Sequence, residues 1–169
     1  MTRDFNQSLG PSFLPHILMR LANRFIQECE VAAHEFGLVV PQRLESTVHF
    51  LHREGTRSVM DIAGAIGQSH PFVIKGVKEL KELGLVHVRS DAKDRRRTLV
   101  KLTPKGETQA RHLVETLPFF EAAYHGLMRE ANAEIFDSLW RLEEALNKTA
   151  FAERIAVERA RAMIVLSAD

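Results

Sequence analysis

The feature that most constrains the fold is a change of hydrophobic period along the chain. Before Gly84, apolar residues recur every three or four positions, as they do in amphipathic helices. After it, two short runs, Leu85–Arg89 and Thr98–Leu102, alternate in polarity and contain β-branched side chains. The stretch between them, 90–97, is polar and mostly charged. The pattern predicts one β-hairpin with a long tip in a chain that is otherwise helical.

Four helical segments are predicted before the hairpin. The first two cover about 12–36 and Pro41–Glu54. Two shorter helices follow, with Ser58 and Ser69 as N-caps, because a serine hydroxyl accepts a backbone N–H that the first helical turn leaves unpaired. Gly67 separates the two. Two short helices joined by a tight turn, with a third helix before them and a hairpin after them, predict a winged helix-turn-helix.

The chain after the hairpin is also predicted to be helical, with Thr103 as N-cap and Pro104 as first helical residue. Its apolar stripes, together with that of the first helix, exceed what a small lobe can cover, so we expect them to form a dimer interface. The predicted class is mostly α with a small β-hairpin wing. We expect a single domain over 1–169, with a winged helix-turn-helix lobe at 37–106 and helical dimerisation regions at 11–36 and 107–169.

The hairpin carries a strong local charge. The whole chain of 169 residues has a formal net charge of only +1, but the stretch from Leu85 to Gly106 holds seven Lys and Arg residues against two Asp residues, a local charge of +5. Such a hairpin directly after a helix-turn-helix indicates binding to double-stranded DNA, with arginine in the minor groove and lysine on phosphates. The helix Ser69–Leu83 is then the candidate recognition helix for the major groove.

The residues on the outward face of this helix can be inferred once its inward residues are assigned. If its regularly spaced apolar residues face the core, a rotation of about 100° per residue points five others outward: Pro71, Phe72, Lys75, Lys78 and Glu79. We expect Lys75 to donate to guanine or to phosphate, and Phe72 to touch a thymine methyl group. The alternative is that Phe72 packs against the preceding helix and never meets DNA.

Asp94 is an acidic residue in an otherwise basic hairpin tip. We expect it to hold a neighbouring arginine through a bidentate pair, so that the guanidinium group meets DNA already oriented. The full set of predicted DNA contacts is Ser69, His70, Pro71, Phe72, Lys75, Lys78, Arg89, Lys93, Asp94, Arg95, Arg96 and Arg97.

Three motifs follow one another around the hairpin: Leu80-Lys-Glu-Leu-Gly84-Leu-Val, Asp91-Ala-Lys-Asp94-Arg-Arg96 and Leu102-Thr-Pro-Lys-Gly106. Together they closely resemble the MarR family of bacterial regulators. That family combines a recognition helix ending in Leu-x-x-x-Gly-Leu, a wing with Asp-x-Arg, and a closing Leu-Thr-x-x-Gly. The resemblance is tight from Pro41 to Gly106 and extends to the flanking helices only in type and length.

The resemblance implies a homodimer with interlocked terminal helices, bound to a pseudo-palindromic operator, with repression as the expected effect. In many members a small anionic or phenolic effector releases the DNA. The family's wing residues fall on Asp94 and Arg96, which makes Arg96 the predicted minor-groove residue. Phe119, Tyr124 and Trp140 are candidates for an effector pocket, although their helical spacing favours a place in the dimer core.

The chain departs from the family at the start of the recognition helix. Many members carry Ser or Thr there, whereas this chain has Pro71, Phe72 and Ile74. The departure concerns the specific base contacts and leaves the expectation of DNA binding unchanged.

Other functions have weaker support. No phosphate-binding loop, nucleophile motif or paired carboxylates are evident, so we expect no enzyme and no cofactor. His49 and His52 could share a metal with His87 or His112, but no acidic or cysteine ligand is evident nearby, and we expect surface histidines and no metal. The main alternative is a winged helix that docks proteins without binding specific DNA. That alternative predicts an uncharged wing.

The remaining expectations concern location. Cys29 is the single cysteine and cannot form a disulfide within the chain. It is expected to be a core thiol and not a redox sensor. The apolar runs are too short to span a membrane, and the N-terminus lacks the apolar segment of a signal peptide. We therefore expect a cytoplasmic protein without membrane contact.

Overall fold

The computed structural model describes residues 4–166. Its helices are α1 (Phe5–Ser8), α2 (Leu14–Glu35), α3 (Glu45–Glu54), α4 (Val59–Ala65), α5 (His70–Glu82), α6 (Pro104–Ala131), α7 (Ile135–Lys148) and α8 (Phe151–Leu166). Its strands are β1 (Arg57–Ser58), β2 (Val86–Ser90) and β3 (Thr98–Leu102), and short 3-10 turns lead into α2 and α3. The predicted class, mostly helical with a small β wing, is confirmed. The chain divides into two compact units, 1–118 and 119–169.

Local signals set the ends of the two short helices as predicted. Ser58 Oγ accepts the Asp61 backbone N–H at 3.1 Å while Asp61 Oδ2 accepts the Ser58 backbone N–H at 3.0 Å, which is a reciprocal capping box for α4. Ser69 Oγ caps α5 by accepting the Phe72 backbone N–H. Gly67 adopts a φ of 64°, so the chain can turn sharply between α4 and α5 at a residue without a side chain.

The hairpin is confirmed, and a third strand joins it. β2 and β3 are antiparallel, with Val88 opposite Val100, and β1 pairs with the other edge of β3, with Ser58 opposite Leu99. The sequence predicted only the hairpin. A two-residue strand has no period of its own, and it forms here only because the chain brings β3 beside it.

One buried cluster joins α3, α4 and α5 to the sheet. It buries the apolar residues that recur at helical spacing on these helices, which are Val48 and Leu51 of α3, Val59, Ile62 and Ala63 of α4, and Val73, Val77 and Leu80 of α5. Ile66, which follows the same spacing after α4, is partly buried against the cluster. The largest fully buried members include Leu44, Val48, Leu51, Ile62, Val73, Leu80, Leu85 and Val100. Since a core packed this closely resists sliding, the recognition helix and the wing hold a fixed relation to each other.

The base of the wing is closed by Thr103. Its hydroxyl donates to the Gly84 carbonyl oxygen at 2.7 Å and accepts the Gly106 backbone N–H at 3.0 Å. Its backbone N–H donates to the Leu85 carbonyl oxygen at 2.9 Å. One residue therefore caps α6, as predicted, and ties the end of β3 to the turn that follows α5.

The polar N-terminal segment contains a short helix before α2. α2 agrees with the predicted first helix to within two residues, but α1 precedes it, capped by Asp4 through hydrogen bonds from the Asn6 and Gln7 backbone N–H groups. The same carboxylate pairs with Arg20 of α2 at 2.7 Å. One polar side chain of this segment, Asp4, thus supplies both a helix cap and an ion pair. No helix in the described part of the chain is long and apolar enough to span a membrane.

Gly106 provides a test of this packing, because a Cβ built there would lie 2.1 Å from the Leu85 carbonyl oxygen. Backbone cannot move aside as a side chain can, so we expect Gly106→Ala to lower the free energy of unfolding by about 1–3 kcal/mol or more. Gly126→Ala, on the same helix, meets no atom closer than 3.9 Å, and should raise it by about 0.5–1 kcal/mol. Urea unfolding of both variants measures this. A Gly106→Ala protein as stable as wild type would contradict the described approach of α6 to Leu85.

Candidate nucleic-acid interface

A groove of about 460 Å³ lies where α4, α5 and the wing converge. α4 contributes Val59 and Met60, α5 contributes His70 and Ile74, and the wing contributes Asp94, Arg96 and Arg97. Elements that are far apart in sequence, at residues 58–60, 70–74 and 94–98, thus share one surface. The predicted recognition helix and the predicted wing are brought together.

Arg96 is oriented by Asp94, as predicted, but through a different geometry. One carboxylate oxygen, Asp94 Oδ1, accepts both the Arg96 backbone N–H at 3.0 Å and the Arg96 Nε–H at 3.2 Å. These hydrogen bonds hold the pKa of Asp94 below its ordinary value. The expected bidentate pair is wrong. Because Asp94 engages only Nε, the two terminal amino groups of Arg96 have no hydrogen-bond partner in the described part of the chain, and the side chain is 92% exposed.

Arg97 points elsewhere. Its guanidinium group donates to Ser58 Oγ at 3.3 Å and to Asp61 Oδ2 at 3.1 Å. Its side chain is half-exposed. The other predicted wing contacts, Arg89, Lys93 and Arg95, are exposed. Adjacent arginines therefore have different partners, which the basic run did not indicate.

The outward face predicted for α5 is corrected at Phe72, Ile74 and Glu79. Phe72 is partly buried and packs against the core of the winged lobe, which corrects its predicted outward position. Ile74, which was not predicted to face outward, is 50% exposed and lines the groove. The spacing could have revealed it, because His70, Ile74 and Lys78 fall at i, i+4 and i+8 on one helical face. Ser69, His70, Pro71, Lys75 and Lys78 are exposed.

Gly76 explains why Phe72 turns inward. A Cβ at this position would lie 2.5 Å from Leu44 Cδ2, so α5 approaches the start of α3 closely. Glu79, one turn further along, is partly buried and accepts a hydrogen bond at 2.7 Å from Arg43, just before α3. Phe72, Gly76 and Glu79 fall on the same side of α5. That side faces the protein and not the solvent.

A second cavity of about 420 Å³ lies between α3 and α6. Its polar lining includes Arg43, Glu45 and His49, and its apolar lining is Leu113 and Leu117. Burial raises the pKa of Glu45 to about 7. Within residues 4–166, His49 Nδ1 is buried and has no hydrogen-bond partner. Burial lowers the pKa of His49, and the nearby Arg53 and His52 lower it further.

The remaining candidate residues are not among those that line the two cavities. Phe119, Tyr124 and Trp140 are exposed to 61%, 36% and 60%, and neither cavity is lined by them. Their role as an effector pocket stays a prediction. Cys29 is buried, as expected of a core thiol. His52 Nδ1 lies 2.7 Å from Glu107 Oε2, and residues 4–166 contain no group of three side chains suited to hold a metal ion.

Three helices followed by a basic three-stranded wing define a winged helix-turn-helix fold. The model of the MarR family matches residues 46–97, which run from the first turn of α3 to the tip of the wing. The resemblance that the motifs indicated is confirmed for this lobe. The match covers this lobe and does not extend to the helices on either side of it.

Solved structures share the fold along most of the chain. The similar structures include MepR of S. aureus in complex with DNA, with 19% identity, coverage of 78% of this chain and 97% of that one, and a TM-score of 0.63. Reduced AbfR bound to DNA has 18% identity, coverage of 84% and 97%, and a TM-score of 0.62. The regulator BldR from Sulfolobus solfataricus has 21% identity, coverage of 87% and 99%, and a TM-score of 0.56. No curated protein matches the sequence.

The raised pKa of Glu45 predicts a pH-dependent stability. The unfolded chain loses this proton near its ordinary pKa of 4.5, whereas the folded chain keeps it up to about 7. At a pH below 4.5, Glu45 is protonated in both states and does not change the free energy of unfolding. As the pH rises from there to about 7, the free energy of unfolding falls, because the unfolded chain releases this proton more readily than the folded chain does. We expect Glu45→Gln to be more stable than wild type near pH 8, by about 1–2 kcal/mol after allowance for partial exposure.

Near pH 4 the two proteins should be equally stable, and urea unfolding at both pH values measures the difference. Glu115→Gln, which changes an exposed carboxylate on α6, is the control and should change stability little at either pH. An equal effect of Glu45→Gln at both pH values would show that the pKa of Glu45 is the same in the folded and the unfolded chain.

Proposed function

We propose that this protein is a sequence-specific DNA-binding transcriptional regulator that represses from a pseudo-palindromic operator as a homodimer. The observation that carries the proposal is the geometry of Arg96, which is held by Asp94 at the tip of a basic wing with its terminal amino groups exposed. A recognition helix lies across the same groove. A regulator of this kind works where the DNA is, which in bacterial or archaeal cells is the cytoplasm.

The wing is suited to a minor groove. Narrow A·T-rich minor grooves have a strongly negative potential that attracts inserted arginine side chains. Arg96 reaches outward as such a residue, while Lys93 and Arg95 on the same tip are exposed and suited to the flanking phosphates. A strongly basic wing also disfavours the alternative of a winged helix that only docks proteins.

The exposed part of α5 is suited to the major groove. His70, Lys75 and Lys78 supply hydrogen-bond donors for bases or phosphates. We propose that Ile74 makes the thymine methyl contact that the sequence assigned to Phe72, because Ile74 is the apolar side chain of α5 in the groove.

The partner proposed for the terminal helices is a second copy of the chain. Across residues 119–165 no side chain is buried in the single chain. Leu139, Leu142 and Leu146 nevertheless form an apolar stripe on α7, each 45–50% exposed. Leu18, Met19 and Val31 of α2 are exposed as well. Apolar helices that bury nothing of their own need a partner to remain soluble, and a symmetric dimer supplies one without another gene product.

We also propose that a small-molecule effector binds in the cavity between α3 and α6. Buried His49 Nδ1 needs a hydrogen-bond partner, and a small phenol or carboxylic acid could supply it over the apolar floor of Leu113 and Leu117. Arg43 would couple the ligand to DNA binding, because it lines the cavity and also holds Glu79 of the recognition helix. Calorimetric titration with small phenols and acids tests this, with His49→Phe as the variant that should abolish the heat of binding.

The function is tested by substitutions at the tip of the wing. On an A·T-rich duplex long enough for two half-sites, we expect Arg96→Ala to lose about 1–3 kcal/mol of binding free energy. Asp94→Ala should also weaken binding, although it removes a negative charge, because Arg96 loses its orientation. Lys148→Ala removes a cation on α7 and is the control, with affinity close to wild type. Fluorescence anisotropy measures all four proteins.

Wild-type affinity in Arg96→Ala would contradict the minor-groove role. Tighter binding by Asp94→Ala would mean that Asp94 only repels DNA. A wild-type protein that binds no duplex even at low salt would favour the protein-docking alternative.

The thymine contact is tested by replacing thymine with deoxyuridine, which lacks only the methyl group. We expect wild type to bind the substituted duplex more weakly, by about 0.8 kcal/mol for each methyl group that it buries. Ile74→Ala should bind both duplexes alike. Lys78→Ala is the control, and should weaken both equally and lower the salt slope by about one. An Ile74→Ala protein that still prefers thymine would assign the preference to another residue.

A further inference from the structure

We propose that Arg97 is a positioning residue that locks the wing onto the start of α4 and does not itself contact DNA. The inference rests on the proposed DNA-binding function and refines it. It removes Arg97 from the predicted contacts and gives it the task of setting where Arg96 lies.

The lock is built on the capping box of α4. The box contains two acceptors, Ser58 Oγ and Asp61 Oδ2, each of which already accepts one backbone N–H. The Arg97 guanidinium group donates to both, at 3.3 Å and 3.1 Å. The same two atoms therefore hold the first turn of α4 and the end of the wing loop. Because Asp61 is ionised and Arg97 is cationic, the hydrogen bond between them is charge-assisted.

The lock lies beside the short backbone pairing that joins the wing to β1. Arg97 directly precedes β3, and Ser58 is the end of β1, which pairs with Leu99 of β3. The side-chain contact therefore lies beside the backbone pairing of the same two elements. Only two residue pairs join β1 to β3, so a side-chain bond there adds substantially to a short contact.

The backbone of Arg97 transmits this constraint to the tip. Its N–H donates to the Asp94 carbonyl oxygen at 2.8 Å, and its carbonyl oxygen accepts the Asp91 N–H at 2.9 Å. Asp94 in turn orients Arg96. A chain of contacts thus runs from α4 through Arg97 and Asp94 to Arg96, the 92% exposed residue at the groove.

A phosphate contact is the competing role, because Arg97 is itself half-exposed at the rim of the groove. The two roles differ in their dependence on salt. A phosphate contact releases a counterion, and its loss lowers the slope of log affinity against log salt by about one. A residue that only positions another leaves the slope unchanged and alters the preference between duplexes.

The experiment compares wild type, Arg97→Ala, Asp61→Asn and the double variant on one A·T-rich and one G·C-rich duplex over a range of salt concentrations. Asn at position 61 keeps an oxygen for the Ser58 N–H and loses the charge that holds Arg97. We expect each single variant to lose the preference for the A·T-rich duplex by about tenfold, the size of one strong groove contact. The salt slope should stay at the wild-type value, and the double variant should lose no more than either single one.

A slope lowered by one in Arg97→Ala, together with tighter binding by Asp61→Asn, would overturn the lock and establish a phosphate contact. Additive losses in the double variant would also overturn it. If Arg97→Ala folds poorly, Arg97→Gln in the same comparison decides, with far-ultraviolet circular dichroism as the check on folding. A wild-type protein that shows no preference between the two duplexes would overturn the proposed function itself. This outcome is measured on wild type alone, so it is distinguishable from a failure of the lock, which is measured on the variants.

Discussion

The closed junction at the base of the wing is the constraint on which the rest of this structure depends. The turn after α5 and the end of β3 meet at Thr103, whose hydroxyl bonds Gly84 and Gly106 while its N–H bonds Leu85. Gly106 is required there because α6 starts against the Leu85 carbonyl oxygen. With this junction formed, the recognition helix, the hairpin and the start of α6 have one relative arrangement. A helix and a wing can engage adjacent grooves of one duplex only if their separation is fixed in this way.

The charged side chains of the lobe are placed on the helix and the wing that this junction holds together. A net charge of +1 would attract DNA weakly, but the stretch from Leu85 to Gly106 has a local charge of +5 and the rest of the chain is net negative. Within that stretch the cations have different tasks. Arg96 is exposed and oriented by an acidic neighbour, whereas Arg97 bonds the capping box of α4. On α5 the exposed lysines face solvent, and Glu79 on the opposite side is held by Arg43. Acidic residues in this lobe thus orient cations or secure helices.

The sequence predicted those features that are decided locally. Helix caps at Ser58, Ser69 and Thr103 and the two hairpin strands depend on side chains within a few residues of each other, and they were correct. The strand β1, the inward turn of Phe72 and the separate partners of Arg96 and Arg97 depend on contacts between distant segments. Gly76 was the available signal for Phe72, since a glycine inside a helix indicates a close neighbour, but it did not identify Leu44 as that neighbour. The one-oxygen contact of Asp94 depends on the turn that the wing tip adopts.

The central claim is that two copies of this lobe read DNA together, and selection of bound sequences from a random duplex pool tests it most directly. The account predicts enrichment of an inverted repeat whose half-sites lie about one helical turn apart, roughly 34–36 Å between centres. A·T pairs should be enriched beside each half-site, where the two wings enter the minor groove. Enrichment of a single asymmetric site, or no enrichment above the starting pool, would contradict it.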